Sequence, residues 1–200
     1  SRPEPEATPQ SVVFIQCVGS RQPQGYTACA RVCCAQALSA AVDLKKSRPD
    51  CQVAVFYRDM TSYGETEELY TEARRLGVLF FRYDPASPPR VERLGTDLAV
   101  TGQDILLGRG VRLRPDRLVL AVPLVPAGLA ETASLFDLPT QPLGFLRPVH
   151  PVLLPVDLPR PGLFAAGLCL GPKPLDETVA EAQAAAMRAA AYCSVLAGSA

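Results

Sequence analysis

Apolar residues in this chain fall into two rhythms that alternate along its first half. SVVFIQC, CQVAVFY and VLFFRYD are compact apolar runs of strand length. The segments between them, ACARVCCAQALSAAVDLKK and GETEELYTEARRLG, space their apolar residues as a helix does. The first predicts a helix from about Ala28 to Lys46. The second predicts one with Leu69, Ala73 and Leu76 on a single side, closed by Gly77. Strand, helix, strand, helix, strand is the pattern of a parallel sheet.

The rhythm then changes. PPRVERLG, TDLAVTG and DILLGRGVRL are short runs punctuated by turns and predict an antiparallel meander, after which DRLVLAVPLV returns to a buried strand. A βαβαβ unit, a meander and a closing strand form the plan of the smaller, nicotinamide-binding domain of two-dinucleotide flavoproteins. The fold class expected is α/β, a Rossmann-like three-layer domain over residues 11–125, followed over 126–200 by a second, incomplete unit. In that second stretch proline is dense between Pro139 and Pro161, which favours an extended wrapping segment. GLFAAGLCLG reads as a short strand entering a glycine turn, and a long helix is expected from about Leu175 to Leu196. Its first turn carries Asp176, Glu177 and Thr178, and the free amides there suit an electron-rich ligand edge such as a flavin ring.

The chemistry gathers just after the first strand. A nicotinamide site needs Gly-x-Gly-x-x-Gly at this point, and only Gly19 remains, in CVGSR. Cysteines stand there instead: Cys17, Cys29, Cys33 and Cys34, spaced Cys-x(11)-Cys-x(3)-Cys-Cys, the last three on or just before the first turn of the expected helix. Soft thiolates converging on a strand–helix junction suit an iron–sulfur cluster or zinc. Zinc sites usually pair two Cys-x(2–4)-Cys knuckles and no second knuckle is present, while an adjacent Cys-Cys pair crowds a single tetrahedral ion more than it crowds a cube of iron and sulfide. Buried or disulfide-linked cysteines are the ordinary alternative.

Composition narrows the setting. Two hundred residues, 48% hydrophobic, hold one sizeable core or two small ones, with no apolar run long enough to span a membrane. Twenty basic residues balance twenty acidic ones without a basic stripe, so the footprint of nucleic-acid binding is missing. SRPEPEATPQ, residues 1–10, reads as a disordered leader or linker without the apolar core of a signal peptide. Seven cysteines in such a chain predict a reducing, cytoplasmic setting. The single histidine, His150, is expected to pack or cap, and Cys51, Cys169 and Cys193 to be small core residues. Arg58, Asp59 and Tyr63 are expected to form a turn with surface ion pairs.

IQCVGSR, CARVCC, FYRDMTSYG, EARRLGVLFFRYDP, HPVLLPVDLP and GLFAAGLCLGPKPLDETVAEAQAAA together carry a resemblance. From Ser11 to Ala197 the chain resembles the C-terminal part of the thioredoxin-reductase-like core found in the A-type subunit of heterodisulfide reductase and its relatives. The resemblance implies that Cys17, Cys29, Cys33 and Cys34 bind a 4Fe-4S cluster. It also implies that FAD lies near Gly167, Lys173, Thr178 and Val179, with Thr178 and Val179 offering amides and Lys173 a positive charge. Two departures stand out. The N-terminal Rossmann half that holds the FAD pyrophosphate in the family is missing, so a longer polypeptide or another chain is expected to supply it, or flavin has been given up. CARVCC also replaces a more usual CSRVCC. The function implied is that of an electron-transfer subunit of a heterodisulfide-reductase-like hetero-complex. Its partners would be a chain bearing the FAD domain and iron–sulfur or hydrogenase- and dehydrogenase-type subunits. The alternatives are a flavin-free cluster relay and a docking or assembly subunit.

Overall fold

The computed structural model describes residues 9–198. The chain forms two compact units, one gathering Ser1–Ala28 with Cys33–Pro123, the other Cys29–Val32 with Leu124–Ala200. Most of the expected leader, residues 1–8, lies outside the described residues. Gln10, its last residue, is tied down: its N–H donates to Asp116 Oδ2 at 2.7 Å and its carbonyl accepts from Gln52.

In the first unit, β1 (Ser11–Ile15), β2 (Gln52–Tyr57), β3 (Leu79–Arg82) and β7 (Arg117–Leu120) make a parallel sheet in the order β3-β2-β1-β7. Alternation along the two central strands sends Val12, Phe14, Val53, Val55 and Tyr57 to one face. There they pack with Leu38, Ala41 and Val42 of α1 (Cys33–Ser47) and Ala73 of α2 (Thr66–Arg75). Val13, Ile15, Ala54 and Phe56 face the other way, against Tyr83 and Val100. Val100 belongs to the antiparallel sheet β4 (Arg90–Leu94), β5 (Asp97–Asp104), β6 (Arg109–Leu113). Helices, parallel sheet and meander are the three layers expected. At Gly102 an added Cβ would come within 2.8 Å of the fully buried Phe56 ring, so this β5 position takes no larger residue without displacing the core.

Three details bear on the sequence pattern. α1 begins at Cys33 rather than about Ala28, because Arg31 adopts a left-handed φ of 62° that no helix interior accepts. β7 is an edge strand with Val119 and Leu120 exposed, not a buried one: apolarity marks it as a strand, and sheet order decides its coverage. α2 keeps its expected face and is capped at Leu76, with Gly77 N–H bonded to Arg74 O and Val78 N–H to Ala73 O.

The second unit holds no paired strands among the described residues, only the bridges Thr140↔Leu146, His150↔Leu154 and Asp157↔Phe164. A short helix, α3 (Leu129–Leu135), was not anticipated from the sequence, and its Ala133 joins a small core with Leu146, Leu158, Ala165 and Leu170. The expected strand in GLFAAGLCLG is instead a single bridge at Phe164 and a 3₁₀ turn, Gly167–Leu170. A strand needs a partner ladder, and no neighbouring strand among the described residues of this unit supplies one. α4 (Leu175–Gly198) buries none of its 24 residues. No helix among the described residues is long and apolar enough to cross a membrane.

Candidate functional site

The carboxyl edge of the parallel sheet is where open α/β sheets receive ligands, at the point where successive connections leave in opposite directions. Here that point lies between β1 and β7. The ladder runs one step past the strands, with Gln16 N–H donating to Phe56 O at 2.9 Å, Ala121 N–H to Ile15 O at 2.9 Å and Val18 N–H to Ala121 O at 3.0 Å. Cys17 follows at once, buried and with a left-handed φ of 61°. Cys17, Arg21 and Arg31 are three of the four described non-glycine residues with positive φ, so backbone strain is concentrated in the cysteine-bearing segment.

Cys33 and Cys34 open α1. Cys34 is buried, and its Sγ lies 3.9 Å from the carbonyl of Asp59, just past β2. Cys29 sits on the Cys29–Val32 stretch of the second unit, half-exposed, its Sγ accepting the Arg31 N–H at 3.3 Å. No disulfide joins any of the seven cysteines, so the disulfide alternative does not hold here.

Positive charge surrounds this edge. Arg21 donates to Asp59 Oδ2 at 2.8 Å and Arg82, the last residue of β3, to Asp59 Oδ1 at 3.1 Å. Arg58 Nη1 reaches the Arg21 carbonyl at 3.1 Å, and Arg82 Nε the Arg58 carbonyl at 3.0 Å. The Arg21 hydrogen bond holds the Asp59 carboxyl below the ordinary range. Asp59 in turn raises the Arg21 guanidinium, which also lies beside Cys17. With side chains 32% and 46% exposed, this pair contributes at most about 1 kcal/mol. Its effect is positional: it holds the Arg21 guanidinium beside Cys17 and ties Arg82, whose backbone N–H also meets the buried Asp104, to the same carboxylate. Asp59 makes the surface ion pairs expected of it, and Arg58 adds a hydrogen bond to the Arg21 carbonyl. Arg82 was legible only as the charged residue that closes an apolar run.

Four buried polar atoms here lack partners: Gln16 Nε2 and Oε1, Ser20 Oγ and Arg58 Nε. Three of these are donors, which is what an electron-rich, sulfide-bearing group accepts. Among the described residues no three His, Cys, Asp or Glu side chains form a set that could hold a metal ion. A 4Fe-4S cluster makes a different demand, since each iron takes its own thiolate and the thiols spread around a cube. Thiol chemistry, compensating charge and unsatisfied donors fit such a group.

In the second unit, Gly167, Lys173 and Thr178 do come together, around a residue that the sequence pattern did not single out. Glu181 accepts from Gly167 N–H at 2.8 Å and from Lys173 Nζ. Gly167 has φ +81°, and a Cβ there would meet Thr178 Cγ2 at 3.0 Å. Two contacts bear on the flavin expectation: the Lys173 side chain is buried and ion-paired with Glu181, and the Thr178 N–H is bonded to Pro174 O at 3.1 Å. Val179 is exposed. Arg31 forks onto Glu177 at 2.6 and 2.9 Å and reaches Pro172 O at 3.3 Å, fixing the start of α4. Burial raises the Cys169 thiol, whose Sγ lies 3.2 Å from Ala166 O. Cys193, expected in the core, is exposed on α4. His150 caps a turn, its Nδ1 accepting from Val152 and Leu153 N–H, and it borders a cavity of roughly 480 Å³ with Arg147, Lys173 and Glu181.

A parallel sheet with a meander on one face and helices on the other, followed by a turn and a long helix, defines the fold class of thioredoxin-reductase-like flavoproteins. Solved structures agree: T. acidophilum thioredoxin reductase matches 93% of this chain and 53% of its own with a TM-score of 0.56 at 15% identity. The flavoprotein disulfide reductase RclA of Escherichia coli matches 88% and 34%, also at 0.56, with 11% identity. No family model matches the chain. Its sequence is homologous to one part of the A-type subunit of heterodisulfide reductase. It is 38% identical over 194 residues to a CoB–CoM heterodisulfide reductase iron-sulfur subunit of Methanopyrus kandleri, of that A type. It is also 38% identical over 193 residues to the corresponding subunit of the H(2):CoB-CoM heterodisulfide,ferredoxin reductase of Methanothermobacter marburgensis. Each alignment covers 94% of this chain, which spans 29% of the length of those relatives.

Proposed function

We propose that this chain is the electron-transfer portion of a heterodisulfide-reductase-like complex, with Cys17, Cys29, Cys33 and Cys34 as ligands of a 4Fe-4S cluster. One observation carries the reading. Where a nicotinamide domain places glycines for a pyrophosphate, this sheet edge carries thiols, with Arg21 beside Cys17 and unsatisfied donors on Gln16 and Ser20 of the same segment. When bound, the cluster supplies one-electron transfer. The chain's own residues exclude water from Cys17 and Cys34, and the Arg21 guanidinium offsets negative charge at Cys17. The homologues named as iron-sulfur subunits support the assignment. FAD is the second cofactor proposed, at Gly167, Lys173, Thr178 and Val179, its phosphates held by sequence beyond these residues or by another chain. The partners are other redox subunits of the complex, in the cytoplasm.

Anaerobically purified protein is expected to contain about four irons and four sulfides per chain, by cluster stoichiometry. Cys33→Ser should lower both and destabilise the first unit. Metal-free protein of full stability would overturn the assignment. A flavin-free relay is the second reading, favoured by Glu181 occupying Lys173 and by Pro174 O occupying the Thr178 amide.

A further inference from the structure

Gln16 is fully buried, yet neither its Nε2 nor its Oε1 has a hydrogen-bond partner. A side-chain amide brings two donors and an acceptor, and burying them unpaired is costly, whereas Leu or Met would fill the same volume without that cost. An amide at such a position calls for a partner that the protein itself does not supply.

Its place in the fold indicates which. Gln16 continues the β1 ladder through Phe56 O, and alternation from Val12 and Phe14 puts it on the face of the sheet that α1 covers. A helix that crosses back over a parallel sheet starts at the carboxyl edge, and Cys34 in the first turn of α1 lies against Asp59, just past β2. Gln16 therefore stands at the strand–helix junction, directly before Cys17. Its backbone is fixed from the opposite face by the Tyr83 hydroxyl, which donates to the Gln16 carbonyl at 2.7 Å. The backbone from which the amide projects is therefore fixed, while the amide itself is left to a partner.

We propose that the Gln16 side-chain amide donates an N–H···S hydrogen bond to the thiolate or sulfide of the centre held at Cys17, and acts as a positioning residue that sets its reduction potential. The inference rests on the cluster reading above. An N–H donor stabilises the extra negative charge of the reduced state, so its removal makes the centre harder to reduce.

The test uses the whole chain, reconstituted anaerobically with iron and sulfide and titrated with dithionite against redox mediators. Gln16→Met removes donors and acceptor at similar size, and Gln16→Glu keeps an acceptor but loses the amide donors. Iron and sulfide contents should equal those of the parent. At fixed poise the ratio of reduced to oxidised centre should fall about tenfold in Gln16→Met, equivalent to about 59 mV for one electron, and further in Gln16→Glu. Pulsed electron paramagnetic resonance in D₂O should lose one exchangeable deuteron coupling. If Gln16→Met fails to fold, Gln16→Glu carries the same comparison. Equal iron content with a ratio within twofold of the parent and the deuteron coupling intact overturns the role of Gln16 alone. A parent chain that takes up no iron overturns the cluster reading and this inference with it.

Discussion

The two units bury their apolar residues in opposite ways. The first encloses Val12, Phe14, Leu38, Val53 and Val55 on one face of its sheet and Val13, Ile15, Ala54 and Phe56 on the other, so both faces of a central strand are used. The second has a small core around Leu146, Leu158 and Leu170, and a 24-residue helix that buries nothing while exposing Leu175, Val179, Met187, Val195 and Leu196. A sheet closed between two layers satisfies its own pattern. An alanine-rich helix with apolar residues open to solvent on several sides leaves that pattern unsatisfied within these residues.

The largest effect is expected where the first unit is most closed. Phe56 is fully buried, stacks tilted on Phe81 with ring centroids 5.3 Å apart, and lies against Gly102 of the meander. Phe56→Ala should cost about 3–5 kcal/mol through lost transfer energy and the cavity it leaves, read as a fall in the denaturation midpoint. A loss below about 1 kcal/mol would mean that the meander is not packed on this face of the sheet, and the contrast between the units would weaken.

Much of the first unit was legible because its rules are local. Apolar runs of strand length, a 3.6-residue rhythm and turn residues at the joints marked every strand and both helices. Partner-dependent features were not legible in the same way. Strand order, which leaves β7 at an edge, depends on tertiary pairing, as does the left-handed Arg31 that delays α1. The four thiols are visible in the sequence as Cys-x(11)-Cys-x(3)-Cys-Cys, and their expected role as cluster ligands rests on the resemblance as well as on that spacing. Arg21, Arg82 and Glu181 could not, because nothing in IQCVGSR, VLFFRYD or ETVAEA shows which charges will meet. One signal was available and went unused: Gln16 is a polar residue in a run of otherwise apolar strand residues. In the second unit the sequence supports a helix from Leu175 onward, but a strand at GLFAAG needs neighbours that the described residues lack.

A smaller effect sharpens the comparison within the first unit, at the edge where its chemistry lies. Burial, above all, pushes the Tyr83 hydroxyl up to about 12 from its ordinary value of 10.0. The folded state therefore holds the proton more tightly than the unfolded chain. Its contribution is intact below about pH 10 and is lost as pH climbs toward 12, by roughly 2–3 kcal/mol over that window. Tyr83→Phe keeps the ring and removes the bond to Gln16 O. It should cost about 1 kcal/mol at neutral pH and flatten the decline between pH 10 and 12. Parallel alkaline curves for the two proteins would show that this hydroxyl is not held as the structure places it.

The smallest effect on stability should come from the second unit, and its smallness is the point. Met187 lies midway along α4 and is 74% exposed. Met187→Glu removes no buried contact, so the unfolding midpoint of the chain should move by no more than about 0.5 kcal/mol equivalent. Association is a different matter. Exposed apolar side chains favour self-association or capture of a partner surface, and a carboxylate at Met187 must be desolvated wherever that part of α4 is covered. Sedimentation velocity across a concentration series should show the parent chain associating and Met187→Glu remaining monomeric. If both sediment identically at every concentration, α4 is a helix content in water, and the second unit is small by design rather than incomplete.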